Sequence, residues 1–566
     1  MTNLYLLRVR SLIALGFACV LLFVAAWAHA QTPADTQEQR RRAQQEEEDR
    51  QNRLNAPRVE LERPAAADPK SFELPDEKPC FRITRIKLEG KQLDRFFWLN
   101  EQFEYATGRC VGKEGLSRIV KKLTASLIDR GYITTRIGIP EQDLSKGELS
   151  LLLIPGTVGK VRMADGSPDV SWRTAFPIRP GDLLNLRDLE QGLEQLKRVP
   201  SQDVDFEIQP GEHAGESDIV IKAQRSKPWR VAVSADDAGS KATGKYQASL
   251  SLSLDNPLGL NDLLSVTTNS DAQRDRDELG SRGNSASYSI PFGYWLISTG
   301  VSRSRFHQTI AGANQDFVSS GKSEQTDLKI LRTLHRDQTS KTSAYARLIK
   351  RKSHSFIDDT EIEVQRRNTT ALELALNRRQ YLGRAQMDFT LGYKEGNSWF
   401  GGQNDPADLP AEAPSFDYHL EFADISASVP FAVGELPLRW ISALRAQSTG
   451  SRLYANEMFS IGGRYTVRGF DGETTLAAER GWYWRNEMEL PIAASGQNIF
   501  LAYDHGEVAG PSAAHLAGKT LGGVAVGLRG TWQGASYEVF AGWPVERPKS
   551  FRTPQPTVGF QASYQY

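Results

Sequence analysis

The chain is 566 residues long, 39% hydrophobic and 24% charged, with 69 basic and 69 acidic side chains. That length exceeds one ordinary hydrophobic core, so two or three domains are expected, and the even charge balance removes the case for a nucleic-acid binder built on a global positive field. Five Met and three Cys beside 47 Gly, 17 Tyr and 11 Trp lean toward an extracytoplasmic, β-rich protein.

The first element in chain order is a leader. Arg8 and Arg10 form a basic region, Ser11 to Trp27 an apolar one, and Ala28-His29-Ala30 a small-x-small cleavage site before Gln31, the pattern of a cleaved signal peptide over residues 1–30. An uncleaved anchor is the alternative, but the apolar run falls short of the roughly 20 residues a spanning helix needs. After Gln31 no apolar stretch is long enough for a transmembrane helix, which leaves the mature chain either soluble or a β-barrel. Cys19 leaves with the leader, and Cys80 and Cys110 remain as an even pair in an oxidising compartment. A disulfide is the natural reading and would stabilise its domain by about 3 to 4 kcal/mol; two reduced structural thiols are the alternative.

From Asp35 to Leu54 there is no Gly or Pro and almost no apolar residue. Thr36 with Gln39 makes a capping box, and Arg42 with Glu46, Glu46 with Arg50 and Asp49 with Arg53 are opposite charges four apart, so residues 31–55 are expected to form a helix. A helix polar on every side has no core to join. It is either a solvated arm or a helix standing in a water-filled lumen. Residues 56–79, with Pro57, Pro64, Pro69 and Pro75, have linker composition and would reach roughly 80 Å when extended.

Residues 80–155 alternate as β-α-β-β. Phe81 to Gly90 reads as a strand, Leu116, Ile119, Val120, Leu123 and Leu127 as a helix face ending at Arg130-Gly131, and Tyr132 to Ile139 and Leu149 to Ile154 as two further strands. Residues 156–227 repeat the pattern. Val158 to Met163 is a strand, Leu186, Leu189, Leu193 and Leu196 form a helix face opened by Asn185, and Val204 to Ile208 and Ser217 to Ala223 are strands. Each is a small α+β module. Over residues 228–566 helical periodicity disappears. Tyr246, Ala248, Leu250, Leu252 and Leu254 alternate with polar residues, as do Met387, Phe389, Leu391 and Tyr393, and Leu438, Trp440, Leu444 and Ala446. One apolar and one charged face, strand after strand, is what a barrel with lipid outside and water inside requires. A large soluble β-sandwich or propeller competes, but no short fixed repeat is present and the last strand alternates through Phe560, Ala562, Tyr564 and Tyr566 to an aromatic end. About 338 residues at roughly 21 per strand and turn give about 16 antiparallel strands.

The segment Ile461-Gly462-Gly463-Arg464-Tyr465-Thr466-Val467-Arg468-Gly469-Phe470-Asp471-Gly472-Glu473 contains a VRG(F/Y) motif and resembles the outer-membrane transporters that carry POTRA domains. With its flanks it is similar to the two-partner secretion transporters, the TpsB family, in the branch of haemolysin activation and contact-dependent growth inhibition. Pro79-Cys80, Gly108-Arg109-Cys110, Leu127-Ile128-Asp129-Arg130-Gly131-Tyr132 and Gln142-Asp143-Leu144 match the family's first POTRA domain. Asn185 to Gln191 and Gly215-Glu216-Ser217-Asp218 match the second, and Asp255-Asn256-Pro257-Leu258-Gly259 the opening strands of the barrel.

The resemblance implies a membrane β-barrel behind two POTRA domains, with residues 31–55 as a plug helix in the lumen. It implies that Val467, Arg468, Gly469 and Phe470 tip a loop folded into the barrel, where Arg468 meets Asp504 of Tyr503-Asp504-His505-Gly506. Ala502 stands where the family usually has Phe or Gly, which puts the local strand shape in doubt. The pair has a physical case of its own, because an arginine in a confined lumen needs a carboxylate and can bind one bidentately. Phe560, Tyr564 and Tyr566 resemble the signal read by the barrel-assembly machinery, with Tyr566 where Phe is commoner. The implied partner is a large secreted β-helical polypeptide of the TpsA type, met unfolded in the periplasm of a Gram-negative bacterium. The implied site is the outer membrane, with its lipid around a monomeric barrel.

An enzyme is the main rival from another class. The eight His are scattered, there is no HExxH or Cys-rich metal spacing, and Gly321-Lys322-Ser323 has Asp316 where a P-loop needs Gly. No metal, cofactor or catalytic residue is therefore assigned, and Asp236-Asp237 reads as a strand-end turn. A barrel-assembly insertase of the same superfamily is the nearer alternative, and a passive porin has no use for the front modules. Whether the cargo is a haemolysin, an adhesin or a contact-dependent toxin stays open.

Overall fold

The computed structural model describes residues 33–55, 58–59, 73–273, 278–312, 314–492 and 495–566. The leader expected over 1–30 and most of the linker expected over 56–79 lie outside the described residues.

Helix α1 runs over Pro33–Asn55. At 1.5 Å per residue it is about 35 Å long, enough to thread a barrel from end to end. It begins three residues before Thr36, so the expected capping box does not form, and Gln39 Nε2 instead donates to the Ala455 carbonyl at 2.6 Å. Of the expected pairs four apart, Arg42–Glu46 is present at 3.6 Å. Glu46 turns to Arg445 and Arg53 to Asp424. Partners on a surrounding wall outcompete neighbours on the helix, whose own pairs are worth only about 0.2–0.5 kcal/mol each.

The first module packs helix α2, Lys113–Asp129, on a sheet of Arg85–Gly90, Glu148–Ile154 and Arg136–Gly138. Ile119, Leu123 and Leu127 of α2 are fully buried with Leu149 and Leu151. Each such side chain contributes about 1.5–3 kcal/mol. The single strand expected over Phe81 to Gly90 is broken at Ile83-Thr84, because the chain changes partner there. Phe81–Arg82 pairs with Cys110–Val111, whereas Arg85–Gly90 runs parallel to Glu148–Ile154. The strand expected over Tyr132 to Ile139 shrinks to Arg136–Gly138. Tyr132 packs on Phe96 with ring centroids 4.8 Å apart, and the buried Thr135 hydroxyl accepts the Gly156 N–H. Cys80 and Cys110 are joined as a disulfide. Glu77, at the end of the linker, accepts the N–H groups of Gly112, Glu114 and Gly115 at 2.7–2.9 Å, so the linker's end is fastened to the first turn of α2, where free donors and the helix dipole favour a carboxylate.

The second module repeats the topology. Helix α3, Leu186–Lys197, has Asn185 as its cap, accepting the Arg187 N–H. It packs Leu189, Leu193 and Leu196 onto Thr157–Met163, Glu216–Arg225 and Gln202–Pro210. In both sheets the last strand lies between the parallel first strand and the antiparallel second, so the first strand is an edge, open along Arg85–Gly90 in one module and over 160–163 in the other, where Val158 is already bonded to Gly181 and Asp182.

Trp229–Asp236 to Thr557–Gln565 close as a barrel of sixteen antiparallel strands, with the two-residue Thr360–Glu361 extending one hairpin. Along Gln247–Asp255, Leu250 and Leu252 are exposed outward, while Ser249 and Ser251 face inward to Ser234 and Thr267 at 2.6 and 2.7 Å. Phe389 and Leu391 point out, Asp388 and Thr390 in. Short turns such as Gly293-Tyr294 gather at the end where the modules attach. There α3 is bolted on: Gln191 and Gln195 donate to the Gly293 carbonyl at 3.2 and 3.1 Å, Arg198 to Ser289 and Asn261, and Glu194 accepts from Arg336 and Lys341.

Candidate functional site

The chain between Leu436–Ser448 and Arg480–Pro491 is a long loop at the end of the barrel away from the modules, and it folds back inside. A two-strand ribbon, Phe459–Ile461 with Leu476–Ala478, gives it a stem. Its apolar side chains provide a private core. Val467 and Phe470 are buried with Ile461, Val508 and Leu521, and Phe470 meets Phe551 edge to face at 5.5 Å. The tip lies flat against the wall. Gly469 has φ +102°, and a Cβ there would fall 2.6 Å from the Trp543 carbonyl oxygen; one at Gly523 would fall 1.8 Å from the carbonyl of Arg468. Glycine at both positions is thus a condition of the approach.

Pinned in this way, Arg468 is 4% exposed and reaches a fully buried Asp504 on strand Gln497–Ala509. Its Nε and Nη2 bond Oδ2 and Oδ1 at 2.7 and 2.8 Å, and its own backbone N–H donates to Oδ2 at 2.9 Å. Nη1 bonds Glu487 and Nη2 the Asn486 carbonyl at 3.3 Å. Arg529 also holds Glu487 at 2.8 Å and Glu489 at 2.9 Å, and Phe500 lies under both guanidiniums at 5.9 and 4.4 Å, a favourable cation–π geometry. Removing one member of such a desolvated pair leaves its partner uncompensated, a cost of about 3–5 kcal/mol. Ala502, the departure noted in the sequence, is buried beside Phe500, and the strand around it is regular.

Helix α1 stands in the lumen and is tied to this loop. Arg42 donates to the carbonyls of Asn456 and Met458 at 3.1 and 2.6 Å, and Arg40 to that of Gly472. Glu47 accepts from Arg485, which also donates to Tyr465 of the loop and lies 3.9 Å from Asp504. Elsewhere on the wall Arg351 holds Glu38, and Arg53 of the helix holds Asp424, both at 3.0 Å. Helix, loop and wall form one charged lattice, so displacing the helix disturbs the surroundings of the Arg468 clasp.

Most of the wall partners in this lattice were missed in the sequence, and Glu487, Glu457 and Asp237 show how. Glu487 carried a signal, because Arg485, Glu487 and Glu489 are polar at every second position of one strand and must face the lumen together. Glu457, which accepts from Lys394 and Arg351, carried none. Asp237, read as a turn residue, is buried and accepts from Arg464 Nη2 at 2.6 Å and the Phe560 N–H at 2.9 Å. It therefore joins the loop to the seam between first and last strands. That seam has five residue pairs, from Asp236 with Gln561 to Ala232 with Gln565. Phe560, Tyr564 and Tyr566 sit on the outward face of the last strand, and Tyr566 meets Trp229 at 5.9 Å.

Comparison with known proteins identifies the family. Residues 215–530 match the family described as haemolysin secretion/activation protein ShlB/FhaC/HecB, residues 81–156 a ShlB-type POTRA domain, and residues 157–210 a further POTRA domain. The outer membrane transporter CdiB-2 of Burkholderia pseudomallei is 41% identical, covering 96% of this chain and 95% of its own, and CdiB of Dickeya dadantii is 29% identical over 97% and 98%. Among solved structures, CdiB from Escherichia coli superposes with a TM-score of 0.84 at 26% identity, covering 94% of this chain and 99% of that one. CdiB from Acinetobacter baumannii gives 0.83 at 27%, covering 95% and 100%. The chain is an outer-membrane two-partner secretion transporter with its POTRA domains in the periplasm, and it belongs to the haemolysin secretion/activation family.

Proposed function

We propose that this transporter receives an unfolded, large β-helical partner of the TpsA type in the periplasm through its two POTRA domains and passes it through the barrel without nucleotide hydrolysis. The carrying observation is the lattice of ionic bonds by which α1 and the Arg468 loop occupy the lumen. The bonds of the helix to the wall, such as Arg53–Asp424 and Arg445–Glu46, join partly hydrated groups and are weaker and more exchangeable than the buried Arg468 clasp, suited to a path that is closed at rest and yields to a polypeptide. The open edges, Arg85–Gly90 and the 160–163 end of Thr157–Met163, offer backbone groups to which an extended partner adds as a strand. The bolting of α3 to the periplasmic turns delivers that strand beside the pore. Folding of the emerged segment outside makes each step irreversible. Phe560, Tyr564 and Tyr566 serve as the strand signal for barrel assembly.

The test joins the helix to the wall. Arg41 Nη1 lies 2.8 Å from Ser304 Oγ, so Arg41→Cys with Ser304→Cys, bridged by a short reducible bis-maleimide, fixes α1 inside. Secretion of the cognate exoprotein should stop on bridging and return on cleavage of the linker. Undiminished secretion with the bridge intact would remove displacement of the helix from the mechanism.

A further inference from the structure

We propose that the lipid-facing wall between Trp295 and Tyr393 holds one glycerophospholipid of the periplasmic leaflet, its phosphate between Arg332 and Arg378 and an acyl chain over Ala344 and Ala346.

The strand register builds the site. Trp295, Arg332, Ala344, Leu376 and Leu391 are successive partners across five strands, and Ile297, Ile330, Ala346, Leu374 and Tyr393 form the next row. All point outward, because the residues between them on the same strands face the lumen: Lys394 reaches Glu457, and Arg379 meets Asp388 at 3.0 Å. Two alanines in the middle of rows of large side chains leave a furrow of about 780 Å³, walled by Ile330 on one side and Leu374, Leu376 and Leu391 on the other. Its floor and walls are apolar side chains, against which a hydrocarbon chain packs with no polar group to satisfy.

Toward the POTRA side the furrow is lined by Arg332, and Arg378 stands two residues beyond Leu376 on its strand. Trp295 follows directly on Gly293-Tyr294, the turn held by α3. Arg332 lies over the Trp295 ring at 4.9 Å, and Arg378 donates to the Thr342 hydroxyl at 3.3 Å and to Gln380 at 2.9 Å. Thr342 is the register partner of Arg378 and stands two residues from Ala344. Neither arginine has a carboxylate partner among the described residues. Their inward neighbours do: Arg347 meets Asp327 at 3.2 Å and Arg351 meets Glu38 at 3.0 Å. Outward at the far end of the wall, Arg303 meets Glu324 at 3.1 Å. A lipid-facing arginine costs about 2–4 kcal/mol at the bilayer midplane and about 0–1 near its surface. Glu421, the register partner of Tyr393, also lines the furrow, but on the strand beyond Tyr393; two arginines together, neither paired with an acid among the described residues, at the other end fit a phosphodiester, which guanidinium binds through short charge-assisted bonds.

The experiment uses the full-length transporter in mild detergent, with bound lipid counted by native mass spectrometry. Phosphatidylglycerol is compared with diacylglycerol, which has the chains alone, and with inorganic phosphate, which has the anion alone. One phosphatidylglycerol per chain is expected, with neither half retained. Arg332→Gln with Arg378→Gln should weaken retention at least tenfold, and so should Ala346→Phe, which fills the furrow and keeps both arginines. Heat-modifiable migration in gels shows that each variant is a folded barrel. Retention of phosphatidylglycerol by the double variant at the wild-type level, or equal retention of diacylglycerol, overturns the proposal. Retention by Ala346→Phe equal to wild type does so as well.

Discussion

Arg468 and Asp504 meet through two parallel bonds of 2.7 and 2.8 Å, and the same carboxylate accepts the arginine's own backbone N–H. One aspartate thus fixes both the side chain and the main chain of the loop tip. Arg468→Ala is expected to keep a folded, heat-modifiable barrel, since the strands that carry Glu487 and Asp504 are held by their own backbone ladders, and to reduce partner secretion at least tenfold. Arg468→Lys should recover little, because an ammonium cannot make the two-point contact. Asp504→Asn added to Arg468→Ala should cost less than the sum of the single changes, as contacting residues do. Secretion by Arg468→Ala at the normal level would detach the clasp from transport.

Asp237 predicts a second effect, at the seam. The first and last strands share five residue pairs, whereas every other pair of long neighbouring strands shares eight or more. Asp237 reinforces this short edge by receiving Arg464 and the Phe560 N–H together. Hydrogen bonds to charged groups contribute about 1.5–3 kcal/mol, so Asp237→Ala should lower the temperature at which the barrel loses its folded gel mobility. Glu324→Ala breaks an exposed pair within a long register and should change stability by no more than about 1 kcal/mol. Equal shifts for the two would show that Asp237 adds nothing specific to the seam.

The POTRA junction should respond to acid. Burial raises the Glu194 carboxyl, but Lys341 and Arg336 beside it outweigh burial and hold it at about 2, below its ordinary value of 4.5. A carboxylate depressed in the docked state stabilises docking at full strength above the ordinary value, and that contribution is lost as pH falls through the docked one. Distances between spin labels on α3 and on the barrel should therefore stay constant from neutral pH to about 5 and spread between about 4.5 and 2. Glu194→Gln should flatten this dependence. A spread already present at pH 6 would assign it to another group.

How much of this was legible before folding depended on whether the signal was periodic. Leu250 with Leu252, and Phe389 with Leu391, announced an outward apolar face because strand side chains alternate strictly. Leu189 and Leu193 announced a buried helix stripe by their spacing of four. The nearness of Arg468 and Asp504 came from the motif and its resemblance, with chemistry in agreement. What stayed hidden were contacts between segments far apart in the chain that follow no period: Glu457 with Lys394, Asp237 with Phe560, and the turn of Glu46 and Arg53 away from their helical neighbours. Pairing four apart is a property of a helix in water, and α1 is surrounded by competing charges.

The disulfide offers a test confined to one module. Cys80 and Cys110 are 30 residues apart, and closing a loop of that length stabilises its domain by about 3 to 4 kcal/mol in the chain-entropy model. Cys80→Ser with Cys110→Ser should destabilise the first POTRA domain by that amount, raising protease cleavage within 80–155 while the barrel's heat transition stays in place. Because Glu77 still caps α2 in the variant, the linker's attachment should weaken only through the domain's own opening. A matching fall in the barrel transition would mean that the modules and the barrel unfold as one unit.

Arg50 and Glu47 carry the last prediction. Arg50 is 2% exposed, bonds Glu47 at 2.7 Å and donates to the Tyr483 hydroxyl at 2.8 Å, while Glu47 also holds Arg485 at 2.7 Å. Glu47→Ala removes the acid that both arginines share, leaving two cations facing each other across the helix–wall boundary. A loss of about 1.5–3 kcal/mol from charged hydrogen bonds corresponds to a roughly ten- to hundredfold rise in the population with α1 out of the lumen. In planar bilayers the variant should show long open intervals where the parent protein is mostly closed. Raising the salt concentration should open the parent protein in the same direction, since partly hydrated ion pairs are screened. Closed traces from Glu47→Ala at all salt concentrations would mean that the apolar packing of the loop, and not the charge lattice around the helix, is what shuts the pore.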